Sequence, residues 1–217
     1  MMKNITDPAL YDAWYHTTRG RWISDCEFSL LQRLMNPRAG ESLLDVGCGT
    51  GHFSRLFAQA GLSVTGIDQD AKALDFAEKQ GGRIRYILGD ASNLPFPANC
   101  FDYTAAITSL CFIDDPLEAV EEMWRVTRYT LVLGLLNRQS LLYRQKNEQS
   151  SYRLARWDTV KRIQNEWIPI LSPAPIEIRV LSAIFLPHDS KIARWVEACM
   201  PKRLPLGGFI AISLSKR

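Results

Sequence analysis

The chain has 217 residues, 47% of them hydrophobic and 23% charged, with a net charge of +3; that length supports one sizeable core and is short for two, so a single domain is expected. No run approaches the roughly 18 apolar residues of a membrane span, and Met1-Met2-Lys3-Asn4 lacks the apolar run of a secretory signal, which predicts a cytoplasmic protein. Five cysteines, Cys26, Cys48, Cys100, Cys111 and Cys199, form an odd set without a C-x-x-C pair, which fits neither a disulfide framework nor a zinc site, so no metal is expected.

In chain order, Asp7 to Met35 reads as helical and is heavy in aromatics, with Tyr11, Trp14, Tyr15 and Trp22. From Leu43 onward short β-rich runs alternate with helical patterns, the signature of βαβ units around a mostly parallel sheet. Leu43 to Val46 is the first strand, and His52 to Ala60 a helix stopped by Gly61. Ser63 to Ile67 is the second strand. Asp70 to Gln80 places Ala73, Leu74 and Ala77 on one helical face before Gly81-Gly82 and a third strand, Ile84 to Leu88. Phe101 to Ile107 is the fourth strand, Pro116 opens a helix with Leu117, Val120, Met123 and Trp124 on one face, and Thr130 to Leu136 is the fifth strand. Asn137 to Ser151 is polar and strand-free. Leu154, Trp157, Val160, Ile163 and Trp167 then repeat every three or four residues, which predicts one amphipathic helix from Leu154 to Trp167. Ile176 to Phe185, a helix around Lys191 to Met200, and Phe209 to Leu214 close the chain, the two strands pairing antiparallel. No internal repeat or low-complexity tract interrupts this order.

Charge is unevenly spread, with 12 basic and 17 acidic side chains over residues 1–137 against 14 and 6 over 138–217. A basic C-terminal part can face an anionic acceptor, RNA or a membrane surface, and an ordinary solvated face looks the same. The helix expected from Tyr152 to Trp167, with Arg153, Arg156, Lys161 and Arg162 beside its apolar stripe, is the element that would lie on a membrane. Packing of that stripe on the domain is the alternative use.

The strongest chemical signal is Asp45-Val-Gly47-Cys48-Gly49-Thr-Gly51, a buried strand turning sharply into a helix. Glycines there let the backbone approach a ligand closely. A dinucleotide site would need G-x-G-x-x-G facing a pyrophosphate. Its third glycine would fall at position 52, which is His52, so the spacing favours a cofactor without a pyrophosphate over a nicotinamide enzyme. Strand two ends in Gly66-Ile67-Asp68-Gln69, putting a carboxylate at the sheet edge where it can accept hydrogen bonds from vicinal ribose hydroxyls. An N-cap is the alternative, and Asp70 serves that equally well. Gly89-Asp90-Ala91 brings a second carboxylate to the same edge, suited to an adenine amine, with the Ala91 amide meeting a ring nitrogen.

LLDVGCGTGHF, GIDQD, GDASNLPFPANCFDYT and EAVEEMWRVTR together resemble the class I S-adenosylmethionine-dependent methyltransferases, most of all the ubiquinone and menaquinone biosynthesis branch. The likeness covers Ser42 to Leu136 well and the closing hairpin more loosely. It implies a Rossmann-like three-layer αβα sandwich with a seven-stranded, mostly parallel sheet and an antiparallel C-terminal strand. The chain then divides into a helical N-terminal cap (1–41), a cofactor-binding core (42–136), a helical cap or substrate region (137–175) and a closing hairpin with a helix (176–217). It also implies a cofactor site at Asp45, Gly47, Cys48, Gly49, Asp68, Gln69, Asp90, Ala91 and Thr108. One departure is the link Val126-Thr-Arg-Tyr-Thr130, where many relatives carry a glycine pair.

Methyl transfer from a sulfonium is an in-line displacement that alignment and desolvation alone can drive, so no catalytic base is assigned. His52 reads as a cofactor neighbour or surface residue, and His16 and His188 carry no assignment. Cys111 lacks the preceding proline of cytosine-C5 methyltransferases and reads as a buried small hydrophobe. The segment after strand four also lacks the Asp/Asn-Pro-Pro-Tyr/Phe run of amino-directed nucleic-acid methyltransferases. The expected partner is a small-molecule acceptor in a pocket formed by Tyr11, Tyr15, Arg19, Phe112 and Asn137, aromatic walls suiting an apolar or ring-bearing molecule. RNA-directed methylation through the basic C-terminal part is the alternative.

Overall fold

The computed structural model describes residues 7–145, 155–186 and 188–216. Seven strands, β1 (Ser42–Val46), β2 (Ser63–Asp68), β3 (Arg85–Leu88), β4 (Phe101–Ile107), β5 (Thr127–Leu136), β6 (Glu177–Ala183) and β7 (Phe209–Ser215), form one sheet in the order β3-β2-β1-β4-β5-β7-β6. Strands β3, β2, β1, β4 and β5 run parallel to one another, and β7 runs antiparallel to both β5 and β6. The expected seven-stranded arrangement is the one observed. Strand order reverses between β1 and β4, and open α/β sheets bind ligands at the carboxyl edge beside such a switch.

Residues alternate across the sheet with period two, so each strand feeds two cores. Leu44, Val46, Leu131, Leu133, Leu135, Ile210 and Ile212 pack on one face with α5 (Pro116–Val126), Ile163 and Trp167. Leu43, Val64, Ala105, Val132 and Ala211 pack on the other with α2 (Thr18–Met35) and α3 (His52–Gln59). The second layer also holds α1 (Pro8–Tyr15) and α4 (Ala71–Lys79), and α8 (Lys191–Cys199) follows β6. Helix starts follow their caps: Asp7 on α1, Thr17 on α2, and Asp115 with Pro116 on α5. Asp70 caps α4 through the amides of Lys72 and Ala73, which releases Asp68 from that duty.

Two elements differ from the sequence reading. Strand β5 begins at Thr127 rather than Thr130, because Thr127 pairs with Phe101 across a bulge before the regular register resumes. Among the described residues, the helix expected from Leu154 to Trp167 begins only at Val160: α7 (Val160–Arg162) continues as a π-helical turn over Ile163–Trp167 and a 3-10 turn over Ile168–Ile170. Its first part is extended because Asp158 bridges Asn137, its N–H donating to Leu136 O at 2.9 Å while its carbonyl accepts from Arg138 at 2.9 Å. Thr159 then caps the helix through the Arg162 amide at 3.2 Å. The expected stripe is buried at Trp157, Ile163 and Trp167, so these side chains pack on the domain; Tyr152, Arg153 and Leu154 lie outside the described residues. The only helical turn in the strand-free segment, among the described residues, is α6 (Leu141–Arg144). Among the described residues no helix is long and apolar enough to cross a membrane.

Candidate donor and acceptor site

After β1 the chain turns on Gly47, Gly49 and Gly51, with φ of 70°, 53° and 75°, left-handed values that disfavour side chains. The amides of Gly47 and Cys48 both donate to Ile67 O, at 2.8 and 3.2 Å, tying the turn to β2. A Cβ on Gly47 would stand 2.4 Å from the Ser109 side chain, and Ser109 Oγ donates to Val46 O at 2.8 Å. Ser109 thus closes the far side of the turn. Sequence reasoning missed it, since a small residue after β4 carries no signal of its own. Thr108 beside it has φ 51°, its N–H bonded to Gly134 O at 2.8 Å, the kind of backbone strain that gathers at ligand sites.

The Asp68 carboxylate accepts from the Gly49 amide at 2.8 Å through Oδ2 and from the Asp70 amide at 2.9 Å through Oδ1. One further acceptor position remains on each oxygen. Burial raises the Asp68 pKa despite these bonds. Asp45 lies beneath the turn, 2% exposed, accepting from Ser54 Oγ at 2.6 Å; burial, partly offset by that bond, pushes its carboxyl up to about 7. Gln69 is exposed next to Asp68, Ala91 is half-buried, and exposed Asp90 holds the Ser92 amide at 2.9 Å through one oxygen. Cys48 Sγ packs so close to Gly66 that a Cβ there would meet it at 2.8 Å, and burial holds the thiol well above its usual range. The donor residues therefore gather at one edge in the order β1, β2, β3, with Thr108 joining after β4.

Helices α1 and α2 fold over this edge. The ring of Tyr15 stacks on His52 at 3.7 Å, and His52 Nε2 pairs with Ser24 Oγ at 2.6 Å. Burial, with the Arg55 charge, lowers the His52 pKa to about 4, so the imidazole is neutral at neutral pH. Tyr11 bonds to Tyr15 through their hydroxyls at 3.2 Å. Asp12, 3% exposed, accepts from Arg55 Nη2 at 2.7 Å, and Arg55 Nη1 donates to Thr50 O at 2.7 Å. This chain of contacts clamps α1 onto the glycine turn, and the separation of 43 positions between Asp12 and Arg55 hides it from sequence reasoning.

Of the residues expected on the acceptor side, Tyr15 adjoins His52 and Tyr11 adjoins Tyr15, whereas Phe112 packs with Cys111, Leu136 and Trp157. Exposed Arg19 lines a cavity of about 50 Å³ together with Glu27 of α2. Asn137 is fully buried, its Nδ2 donating to Pro205 O and Gly207 O at 2.9 and 2.8 Å and its Oδ1 accepting from the Gln139 amide at 2.9 Å. Its side chain braces the β5–β7 edge rather than facing a ligand. Cys111 Sγ donates to Thr108 O at 3.1 Å, and burial pushes its thiol up to about 12, a protonated group unsuited to nucleophilic attack. His16 pairs with Asp12 at 3.2 Å and His188 is exposed. Among the described residues no group of three or more His, Cys, Asp or Glu could hold a metal ion.

A family profile described as a methyltransferase domain matches residues 44–130. The malonyl-[acyl-carrier protein] O-methyltransferase of Pectobacterium atrosepticum is 41% identical over 98 residues, 45% of this chain and 39% of that protein. A demethylmenaquinone methyltransferase of Paenarthrobacter aurescens is 37% identical over 94 residues, 43% of this chain and 37% of that protein. The chain therefore spans under two fifths of the length of these relatives. An uncharacterized protein of Mycobacterium bovis is 30% identical over 215 residues, covering 95% of this chain and 71% of its own length. A crystal structure of a SAM-dependent methyltransferase from Thermotoga maritima superposes with a TM-score of 0.73 at 22% identity, covering 96% of this chain and 95% of that one, which shows the shared fold. With the glycine turn and the acids of β2 and β3 at one sheet edge, these likenesses place the chain in the class I S-adenosylmethionine-dependent methyltransferases.

Proposed function

We propose that the protein transfers the methyl group of S-adenosylmethionine to a small-molecule acceptor. The observation that carries this reading is the Asp68 carboxylate, anchored by the Gly49 and Asp70 amides and keeping one acceptor position per oxygen. That arrangement suits two vicinal hydroxyls, and the side-chain-free cradle at Gly47 suits close approach of a ligand to the backbone. The residues present fit the family's cofactor. Gly47, Cys48, Gly49 and the Thr108 backbone would flank its methionine part, Asp68 its ribose, and Gln69, Asp90 and the Ala91 amide its adenine, with Asp45 supporting the turn from below. When bound, the cofactor supplies an electrophilic methyl on a sulfonium.

The protein's own part is alignment and exclusion of water. Tyr15 stacked on neutral His52, with Tyr11 edge-on to Tyr15, forms an aromatic wall beside the turn. Arg55 and Asp12 hold that wall in register with the glycines. A panel of small apolar amines, phenols and carboxylic acids incubated with S-adenosylmethionine, read by release of S-adenosylhomocysteine, tests the reading. Turnover with a member of the panel is expected, and turnover only with RNA would displace the small-molecule acceptor.

A second reading, methylation of RNA, rests on Arg138 and Arg144. They line a cavity of about 730 Å³ with Tyr143 and Thr159 beyond β5, and neither has an acidic partner among the described residues. Binding of tRNA or rRNA fragments that weakens steeply with salt would support it, and a flat response would remove it.

A further inference from the structure

Glu27 is an acid in an apolar setting. It sits on α2, 9% exposed, and borders the small cavity walled by Trp14, Ile23, Leu136, Leu142, Ile184 and Phe209. Its carboxyl has no hydrogen bond or ion pair among the described residues, and burial alone pushes it up to about 8. A helix ordinarily turns such a side chain to water, so an unpartnered buried acid carries a desolvation cost that something must offset.

The cavity lies beside the donor site. Ser24, which bonds His52 at the start of α3, is three residues before Glu27, one helical turn on the same face. Leu136 ends β5 and Phe209 begins β7, so the remaining walls come from the same sheet edge as the glycine turn. Ile184 has φ 65°, a value rare for a β-branched residue. The conformation is held from behind: the amides of Ile184 and Phe185 donate to the buried Glu197 carboxylate at 2.8 and 3.1 Å, and Lys202 neutralises that carboxylate. Strain that the fold maintains at a cavity wall marks a place where wall shape matters.

Resting on the reading of the protein as a small-molecule methyltransferase, we propose that this cavity receives the reacting end of the acceptor, and that this end is an amine on an apolar body. Its volume of about 50 Å³ admits an amino group with one or two carbons, while the aromatic side chains outside take the remainder. An ammonium supplies the cationic partner that the carboxyl lacks, whereas a hydroxyl would leave the acid neutral. The groups around Glu27 are Tyr11 on α1, Arg19 and Cys26 on α2, and, beyond Cys26, the Glu197–Lys202 pair; β5 and β7 contribute apolar walls. On binding, Glu27 gives its proton to solvent and faces the ammonium as a carboxylate. It then takes a proton from nitrogen, whose freed lone pair forms the new N–C bond as the S–C bond breaks and its electron pair stays on sulfur. The products are a thioether and a methylated ammonium, which the N–C bond itself creates, while the proton taken by Glu27 stays on its carboxyl, the acid's resting form.

The test is calorimetric titration of the S-adenosylhomocysteine-loaded protein at pH 7 with methylamine, benzylamine and phenethylamine, and with 2-phenylethanol as the neutral counterpart. Each is run in phosphate and in Tris to count protons. We expect at least one amine to bind with release of about one proton, because the resting acid is protonated, and the alcohol to bind roughly tenfold more weakly or not at all. Glu27→Gln should lose about tenfold in amine affinity and release no proton. Binding of none of the three amines, equal affinity for the alcohol, or full amine affinity in Glu27→Gln would overturn the proposal. S-adenosylhomocysteine binding in the same samples reports separately on the donor site and on folding of the variant, so failure of the amine arm alone strikes this proposal and leaves the donor reading intact.

Discussion

Along β1, β2 and β3 the residues that would meet the cofactor stand at successive strand ends, Gly47 to Gly49, then Asp68, then Asp90. Around Glu27 the walls come from α1, α2, β5, α6, the segment after β6 and the start of β7. The first region is built by local turns on adjacent strands, so its chemistry is written in order along the chain. The second is built by packing between distant elements, and its central residue looks in sequence like any surface acid on a helix. At the donor edge the buried carboxylates of Asp68 and Asp45 are held by backbone amides and by a serine hydroxyl. The acceptor cavity leaves its carboxyl unpaired.

The contrast can be broken most severely at the glycine turn. Gly47→Val puts a Cβ 2.4 Å from Ser109 at a φ of 70°, and S-adenosylhomocysteine binding measured by calorimetry should fall below detection at millimolar ligand. Next in size, Arg55→Ala leaves the buried Asp12 carboxylate with only the exposed His16 as partner. Removing one partner of a buried pair costs about 3 kcal/mol, so the thermal midpoint should fall by roughly 6–12 °C. A drop of under about 2 °C would show that α1 is held by its aromatics instead.

At the acceptor cavity the sign reverses. An acid whose folded pKa lies above its unfolded one gives stability that is full at pH below the unfolded pKa and is lost as pH rises towards the folded pKa. For Glu27 that window runs from about 4.3 up to about 8. Glu27→Gln should therefore raise the thermal midpoint by several degrees at pH 8 and leave it nearly unchanged at pH 4. An equal shift at both values would contradict a buried, protonated acid. The smallest effect is expected at exposed Asp90: Asp90→Ala should weaken S-adenosylhomocysteine about tenfold, the value of one hydrogen bond, with the midpoint within a degree of wild type.

The strands were legible because strand alternation and glycine stops are local signals, and the antiparallel closing pair followed from the resemblance; the strand order came only with the structure. Helical periodicity failed at Leu154 to Trp167, where Asp158 pairs with the chain beyond β5 and holds Trp157 in an extended stretch. A period of three or four residues survives that break because both parts bury their apolar side chains, Trp157 beside Cys111 and Leu136, and Ile163 and Trp167 in the core under α5. Asn137 followed β5 as an acceptor residue should, yet its amide nitrogen serves the Pro205 and Gly207 carbonyls some 70 residues away while its oxygen takes the Gln139 amide, a use that no local pattern announces. Asp12, Arg55, Ser109 and Glu27 share that difficulty, since each gains its role from a partner, or a missing partner, remote in sequence.

The account stands on the Asp68 carboxylate beside the glycine turn. Calorimetric titration with S-adenosylhomocysteine of wild type and Asp68→Ala, with NAD⁺ as competitor, tests it most directly. The account predicts one saturable site in wild type, a loss of roughly 100-fold or more in Asp68→Ala from two missing charged hydrogen bonds, and no displacement by NAD⁺. Wild type that fails to bind at high micromolar ligand, Asp68→Ala that binds equally well, or displacement by NAD⁺ would contradict it.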